Sequence, residues 1–461
     1  MMTLADAIIQ EDINSVRQLL RYDDINQIDE YGFTPLIETA ITDNINICKL
    51  LLENRANPNL PDVTGGTALQ WAVENNNIEM CKLLLQYHAN PNSYNLSGQP
   101  ILVMPILRQQ SAIKKILLQA GADQVFAQDY INTKLIGHLF ELVGMGSIVD
   151  LDNQYVEVDL EGFYLEVTIG LISDSLAQFQ NHFAARQLRR YSGLTQFIVQ
   201  VMQRASELIK YQQYRVNLKK HENKINQLIS QQPLLIPVGY EGHAITFICY
   251  QDIWVKCDRR EDSRLYDNIM FYRIKNPQNM TTNFVKNLIY VKQSSEFIND
   301  ELDKILGLEP LTELKIDAQI SGNCSWANVE ATIPALFFLI MMTLNQDQQA
   351  QSYYKTLALN FFQRWREWNK DRALHLCIQR FHEGDSIRKA CIAEILTAIL
   401  FQRCHPNNSA DISRIELILS ALLKSPYEYL LKNYIRVYYY KGHEEEGKQF
   451  AELLKSYGVS I

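Results

Sequence analysis

Cys48-Lys49-Leu50-Leu51-Leu52 returns 33 residues on as Cys81-Lys82-Leu83-Leu84-Leu85, and again as Lys114-Lys115-Ile116-Leu117-Leu118. Working outward, Gly32, Gly65 and Gly98 keep the same 33-residue spacing. Thr34-Pro35-Leu36 aligns with Thr67-Ala68-Leu69 and more weakly with Pro100-Ile101-Leu102, and Asn57-Pro58-Asn59 with Asn90-Pro91-Asn92. A degenerate first copy ends at Asp24-Ile25-Asn26. A fixed period of this length means stacked supersecondary units, each unable to bury its apolar face alone.

The period and the Thr-Pro-Leu signature resemble the ankyrin repeat, a β-turn followed by two helices. The resemblance implies an α-helical solenoid of four repeats over residues 1–128, and protein binding as its task. One place after the signature histidine position stand Glu38, Trp71 and Met104, the expected partner-facing residues. A tryptophan there would anchor an interface well. The third hairpin, Asn90 to Gln99, is rich in Asn, Ser and Tyr, and its Tyr94 is a second expected contact.

Composition bounds the rest. With 461 residues, 47% apolar and 21% charged, the chain is expected to be globular with two to four domains. A formal net charge of -8 argues against bulk nucleic-acid binding. The N-terminus lacks the basic region and apolar core of a secretory signal. The run Ile333 to Leu344 is too short to span a bilayer and reads as a buried helix. None of the eight cysteines forms a Cys-x-x-Cys pair, so neither disulfides, structural zinc nor any other cofactor is expected.

From about Asp129 the period is lost. Gln154 to Val158 and Phe163 to Val167 alternate as a strand pair would, and residues 174–231 read as amphipathic helices. A hairpin follows: Leu234 to Val238 leads in, Gly242 to Tyr250 runs out, Gln251-Asp252 turns and Ile253 to Asp258 returns. If Tyr250 faces Ile253, Asp258 becomes a diagonal neighbour of His243, within roughly 7 Å. Asp252 then lies at the far end of the strand, roughly 25 Å away.

Further on, Gln319-Ile320-Ser321-Gly322-Asn323-Cys324-Ser325-Trp326 places a cysteine just before a long apolar helical run. Asn323 is a suitable N-cap, and a thiol in the first helical turn is favoured as thiolate. A nearby histidine would lower its pKa further and serve as base and acid. Gln319 and the Cys324 backbone N–H could meet an oxyanion.

The order His243, Asp258, Gln319, Cys324 resembles the cysteine-protease clan of the adenovirus and ubiquitin-like-protein proteases. In that clan histidine opens a strand, aspartate ends the next, and glutamine precedes cysteine by five or six residues. The resemblance covers roughly residues 235–345 and implies a papain-like α+β domain. Cys324 would be its nucleophile, His243 its base, Asp258 the orienter and Gln319 the oxyanion donor. Two positions depart from the pattern: Ala244 replaces the aromatic residue after the histidine, and Asn323-Cys324-Ser325 replaces Asp-Cys-Gly. Some bacterial acetyltransferases share this architecture.

Residues 350–461 show helical periodicity with short polar breaks, as five or six packed helices. Arg364-Trp365-Arg366-Glu367-Trp368 mixes base and aromatic and reads as packing rather than as a nucleic-acid surface. The whole, with Glu444-Glu445-Glu446 in its tail, resembles the ankyrin-containing effectors that intracellular bacteria of the Legionella type inject into host cells. That resemblance implies synthesis in the bacterial cytoplasm, type IV secretion and action on a host protein in the host cytosol or nucleus.

The expectation is therefore a multidomain α+β chain acting as a monomer. It comprises an ankyrin array (1–128), a cysteine-protease-like domain (129–345) and an all-α C-terminal cap (346–461). A non-catalytic interaction module and an acyltransferase on the same site are the alternatives to a thiol hydrolase.

Overall fold

The computed structural model describes residues 2–212, 218–260, 268–320, 322–344, 348–440 and 444–459. The chain divides into two compact units. One holds Met1–Lys134 with Met145–Asp159; the other holds Leu135–Gly144, Leu160–Gln212 and Leu218–Ile461.

The first unit stacks four helix pairs: Leu4–Ile9 with Ile13–Leu19, Pro35–Thr42 with Ile45–Glu53, Ala68–Glu74 with Ile78–Gln86, and Val103–Leu107 with Ser111–Gln119. Local chemistry starts each helix where the repeat demands. Thr34 and Thr67 accept the Ile37 and Gln70 amides, and Asn44 and Asn77 cap the second helices of their repeats. The paired Leu and Cys positions of the repeat fill the core, with Cys48, Leu51, Cys81, Leu84 and Leu117 buried.

Asn26, Asn59 and Asn92 stitch the repeats together. Their Oδ1 atoms accept the amides of Asn57, Asn90 and Asp123, at 2.9, 2.7 and 2.7 Å. Gly65 and Gly98 sit at φ +82° and +72°, and a Cβ on either would strike backbone ahead of it, Leu96 N at 2.8 Å and Glu157 O at 2.2 Å.

Glu157 belongs to a two-stranded antiparallel sheet, β1 (Met145–Val149) with β2 (Tyr155–Asp159). This pair stands against Gly98 much as the next repeat's hairpin stands against Gly65, and Ile148, Val156 and Val158 join the array's core. The expected boundary at 128/129 lies within the helix Gln124–Leu139, and the β1–β2 pair belongs to the first unit. The expected strand Phe163–Val167 is corrected. Leu165–Asn181 is a helix that buries Val167, Ile169, Ile172, Leu176 and Phe179. Five alternating residues had matched both periods, and the longer helical stripe prevailed.

The second unit is built on an antiparallel sheet in the order β3-β4-β5-β6-β7. Its strands are Leu234–Tyr240, His243–Tyr250, Ile253–Cys257, Ile269–Ile274 and Leu308–Leu314. β4 is buried from Ala244 to Cys249 because both faces are covered. Ile245, Phe247 and Trp254 pack beneath the helices Leu218–Ile229 and Thr282–Tyr290. Ile248, Val255 and Phe271 pack on the other side with Leu336, Phe337 and Phe338.

The helices Gln351–Glu383, Ser386–Arg403, Ser409–Leu422, Tyr429–Tyr440 and Glu444–Ser456 extend that second core. Trp365 is fully buried in it and donates to Ser175 Oγ at 3.2 Å. The expected division at 345/346 lies outside the described residues, and the helices beyond it share one core with the sheet. Cys324–Leu344 is long and apolar enough to cross a membrane by length and composition, but 78% of its most apolar window is buried inside the protein.

Candidate functional site

A tight turn delivers His243. Glu241 and Gly242 both take positive φ (40° and 79°), as a two-residue hairpin requires, so β4 begins at the histidine. The next turn, at Gln251-Asp252, sets Tyr250 opposite Ile253 and Thr246 opposite Cys257. Asp258 leaves the end of β5 beside His243, with Oδ1 3.1 Å from Nε2. A carboxylate only accepts, so Nε2 carries the proton. Asp252 lies elsewhere, in an exposed ion pair with Arg273 at 3.4 Å.

Asp258 is almost buried. Burial opposes its charge, but the His243 hydrogen bond and the charges of Arg260, His243 and Lys256 outweigh it and hold the carboxyl below its ordinary value. Arg260 Nε reaches Asp258 Oδ2 at 3.0 Å.

Cys324 opens the helix Cys324–Glu330 and is half-buried. Burial pushes its thiol up. Hydrogen bonds from His243 and from the Ala244 and Ser325 backbone, with the His243 charge, more than reverse this, so the thiol titrates below the ordinary cysteine value. Burial would likewise lower the His243 pKa, yet hydrogen bonds and charges from Asp258 and Cys324 raise it to about 9. The arrangement favours an imidazolium–thiolate pair. The contrast is sharp: burial pushes Cys48, Cys81, Cys377 and Cys404 up to about 12 and Cys249 up to about 11.

Gln319 is half-buried on the segment after β7. Its amide N–H donates to the Arg259 carbonyl at 2.8 Å, and its side-chain Oε1 has no hydrogen-bond partner among the described residues. Ser321 lies outside the described residues.

Several residues that hold this site were not singled out in the sequence. Asn328 follows Cys324 by one helical turn. Its Nδ2 donates to Ala244 O at 2.5 Å and its Oδ1 accepts the Arg259 amide at 2.7 Å. The spacing i, i+4 from the cysteine was the available signal. Asn323 does not cap the helix with its side chain. Its Oδ1 meets His138 Nδ1 at 2.5 Å, and the His138 ring stacks on Trp326 at 5.7 Å. Ser325 Oγ accepts the Phe163 amide at 3.1 Å. Both departures from Asp-Cys-Gly are therefore engaged by residues that precede the sheet. Tyr240 packs edge-on to His243, with centroids 5.4 Å apart.

On the array, the expected partner-facing residues separate. Glu38 and Met104 are buried, at 4% and 1% exposure, because the short helices that carry them are packed on nearly every side. This corrects their expected surface role. Trp71 is half-buried, edge-on to Phe33 at 5.7 Å, and donates to Asp62 at 2.7 Å. Tyr94 is 39% exposed and Leu96, at the same hairpin, is 78% exposed.

The described residues contain no group of three or more His, Cys, Asp or Glu that could hold a metal ion. Residues 4–95 and 56–127 match the family model for ankyrin repeats (3 copies). Among solved structures, that of the Legionella effector AnkH aligns at 39% identity over 99% of this chain and 98% of that one, with a TM-score of 0.85. The chain belongs to the AnkH family. No curated protein matches it. The likeness to AnkH runs through both units, so the ankyrin array and the sheet that carries His243 and Asp258 belong together in this family.

Proposed function

We propose that this chain is an effector delivered into a host cell, where it acts as a monomer. Its ankyrin array captures a host protein and Cys324 attacks an acyl group of a substrate. The observation that carries the reading is His243, whose ring bonds Asp258 at 3.1 Å and whose hydrogen bonding and charge hold the Cys324 thiol below its ordinary value. AnkH is a Legionella effector, which supports delivery into a host.

The chemistry follows from the parts. The Cys324 thiolate adds to the acyl carbon, and the carbonyl oxygen becomes an oxyanion met by the Gln319 side-chain amide and the Cys324 N–H. His243 gives its proton to the leaving amine as the carbon–nitrogen bond breaks, which leaves a thioester. Water then loses a proton to His243 and adds to the thioester, and Cys324 departs as thiolate. Asp258 holds the imidazole in the required tautomer throughout. On the array, Tyr94 and Leu96 of the third hairpin present the contact surface, and Trp71 supports it from a half-buried position.

The test is cysteine labelling with iodoacetamide at neutral pH, read by peptide mass spectrometry. Cys324 should react far ahead of the other cysteines, and His243→Ala should abolish the difference. Slow labelling of Cys324, equal to the rest, would sink the nucleophile reading and leave an interaction module. A Cys324 thioester formed with acetyl-CoA would instead assign acyl transfer. Capture of a host protein should survive Cys324→Ala and be lost when residues 90–99 are deleted.

A further inference from the structure

Four charges lie together behind the site, two of them fully buried and two largely so. Arg259, fully enclosed, reaches Glu330 Oε1 at 2.6 Å and Glu141 Oε1 at 3.1 Å. Arg366, from the helix Gln351–Glu383, reaches the same two oxygens at 3.2 and 3.0 Å. Two guanidinium groups thus alternate with two carboxylates. Buried ion pairs recover in pairing roughly what they lose in desolvation, so stability alone does not account for such a group.

Its position does. Arg259 directly follows Asp258. Its N–H donates to Asn328, its carbonyl accepts the Gln319 amide at 2.8 Å, and its Nε donates to Asp317 O at 2.7 Å. Glu330 ends the helix that Cys324 begins and accepts the Trp326 indole at 3.2 Å. One residue therefore ties the strand end with Asp258, the segment with Gln319 and the helix with Cys324. Arg366 brings in a fourth element from the C-terminal helices.

We propose that the Arg259–Glu330–Arg366–Glu141 cluster positions the thiol site, and that Arg366 makes the C-terminal helical region a working part of that site. The proposal rests on the nucleophile reading of Cys324. None of the four touches the reacting atoms; they are positioning residues. Remove Arg366 and two buried carboxylates share one guanidinium. Arg259 then shifts toward whichever carboxylate it retains, and carries the Asp258 and Gln319 backbone with it.

The experiment uses the full chain and follows Cys324 labelling by iodoacetamide across pH, with thermal unfolding alongside. Two variants are compared, Arg366→Met and the charge-balanced Arg366→Met/Glu141→Gln. Misplacement on the scale of 1 Å predicts labelling at least about tenfold slower near neutral pH in both, with the inflection moved upward. The balanced variant should show this even where its unfolding temperature returns to that of the parent. A balanced variant with the parent's labelling profile overturns the proposal. If both variants fail to fold, Arg366→Lys decides by the same readout, since it keeps the cation and loses the two-pronged contact. A parent that shows no His243-dependent labelling refutes the nucleophile reading itself. A parent that passes, with variants that match it, refutes only the positioning role.

Discussion

Asn328 Nδ2 donates to the Ala244 carbonyl at 2.5 Å, which binds the helix that begins with Cys324 to the strand that begins with His243. The same side chain accepts the amide of Arg259, the residue after Asp258. One fully buried amide therefore sets the spacing of Cys324, His243 and Asp258. Asn328→Ala leaves a buried carbonyl and a buried N–H unpaired, at a cost on the order of 2–4 kcal/mol. Denaturant unfolding should show that loss, and Cys324 labelling in the folded variant should slow as well.

The pH dependence has a definite sign. His243 is raised from 6.5 to about 9, so its contribution to stability is complete below 6.5 and disappears as pH rises through about 9. Asp258 is depressed, so its contribution is present above 3.8 and fades as pH falls through its lowered value. In His243→Ala, the rising limb of Cys324 labelling should move up to the ordinary cysteine range or beyond, because burial of the thiol remains. Labelling at pH 7 should fall at least about tenfold. A stopped-time labelling series from pH 5 to pH 10 measures both limbs.

Gly322 has φ +78°, and a Cβ there would lie 2.4 Å from Glu161 Cδ. The left-handed backbone alone costs an alanine about 1–2 kcal/mol. Gly322→Ala should therefore lower the unfolding midpoint and weaken the Gly162 N–H to Gly322 O bond, now 2.9 Å. Adding Glu161→Ala should recover the steric part of the loss and leave the backbone part. Full recovery would show that strain at φ does not matter.

Asn59 accepts the Asn90 amide at 2.7 Å and donates to the His88 carbonyl at 3.1 Å. Asn59→Ala removes both links between adjacent repeats and should cost about 1–3 kcal/mol. Because repeat stability is passed between neighbours, hydrogen exchange should quicken in the third repeat before the second unit responds.

Much of the array was readable because its information is local and repeated. Thr34, Thr67, Asn44 and Asn77 cap helices within a few residues of themselves, and the Cys48 and Cys81 positions recur in register. The choice of Asp258 over Asp252 was also readable. A two-residue turn fixes which residues of β4 and β5 face each other, and the observed pairs obey it. The strand proposed at Phe163–Val167 was misread because five residues cannot separate a period of 2 from one of 3.6. The contact roles of Glu38 and Met104 were misread because exposure depends on packing around a short helix, which the repeat pattern leaves open.

The sequence by itself determined the repeat, the order His243, Asp258, Gln319, Cys324, and the hairpin register that brings Asp258 beside His243. Each is a matter of spacing along one chain. Only the tertiary structure decided that Asn328 and Arg259 hold these parts together, and that Arg366 joins them. Only it decided that His138 takes the Asn323 side chain that would otherwise cap the helix. These contacts join residues far apart in sequence. A buried charge or amide must be satisfied, but nothing in its local sequence says by whom.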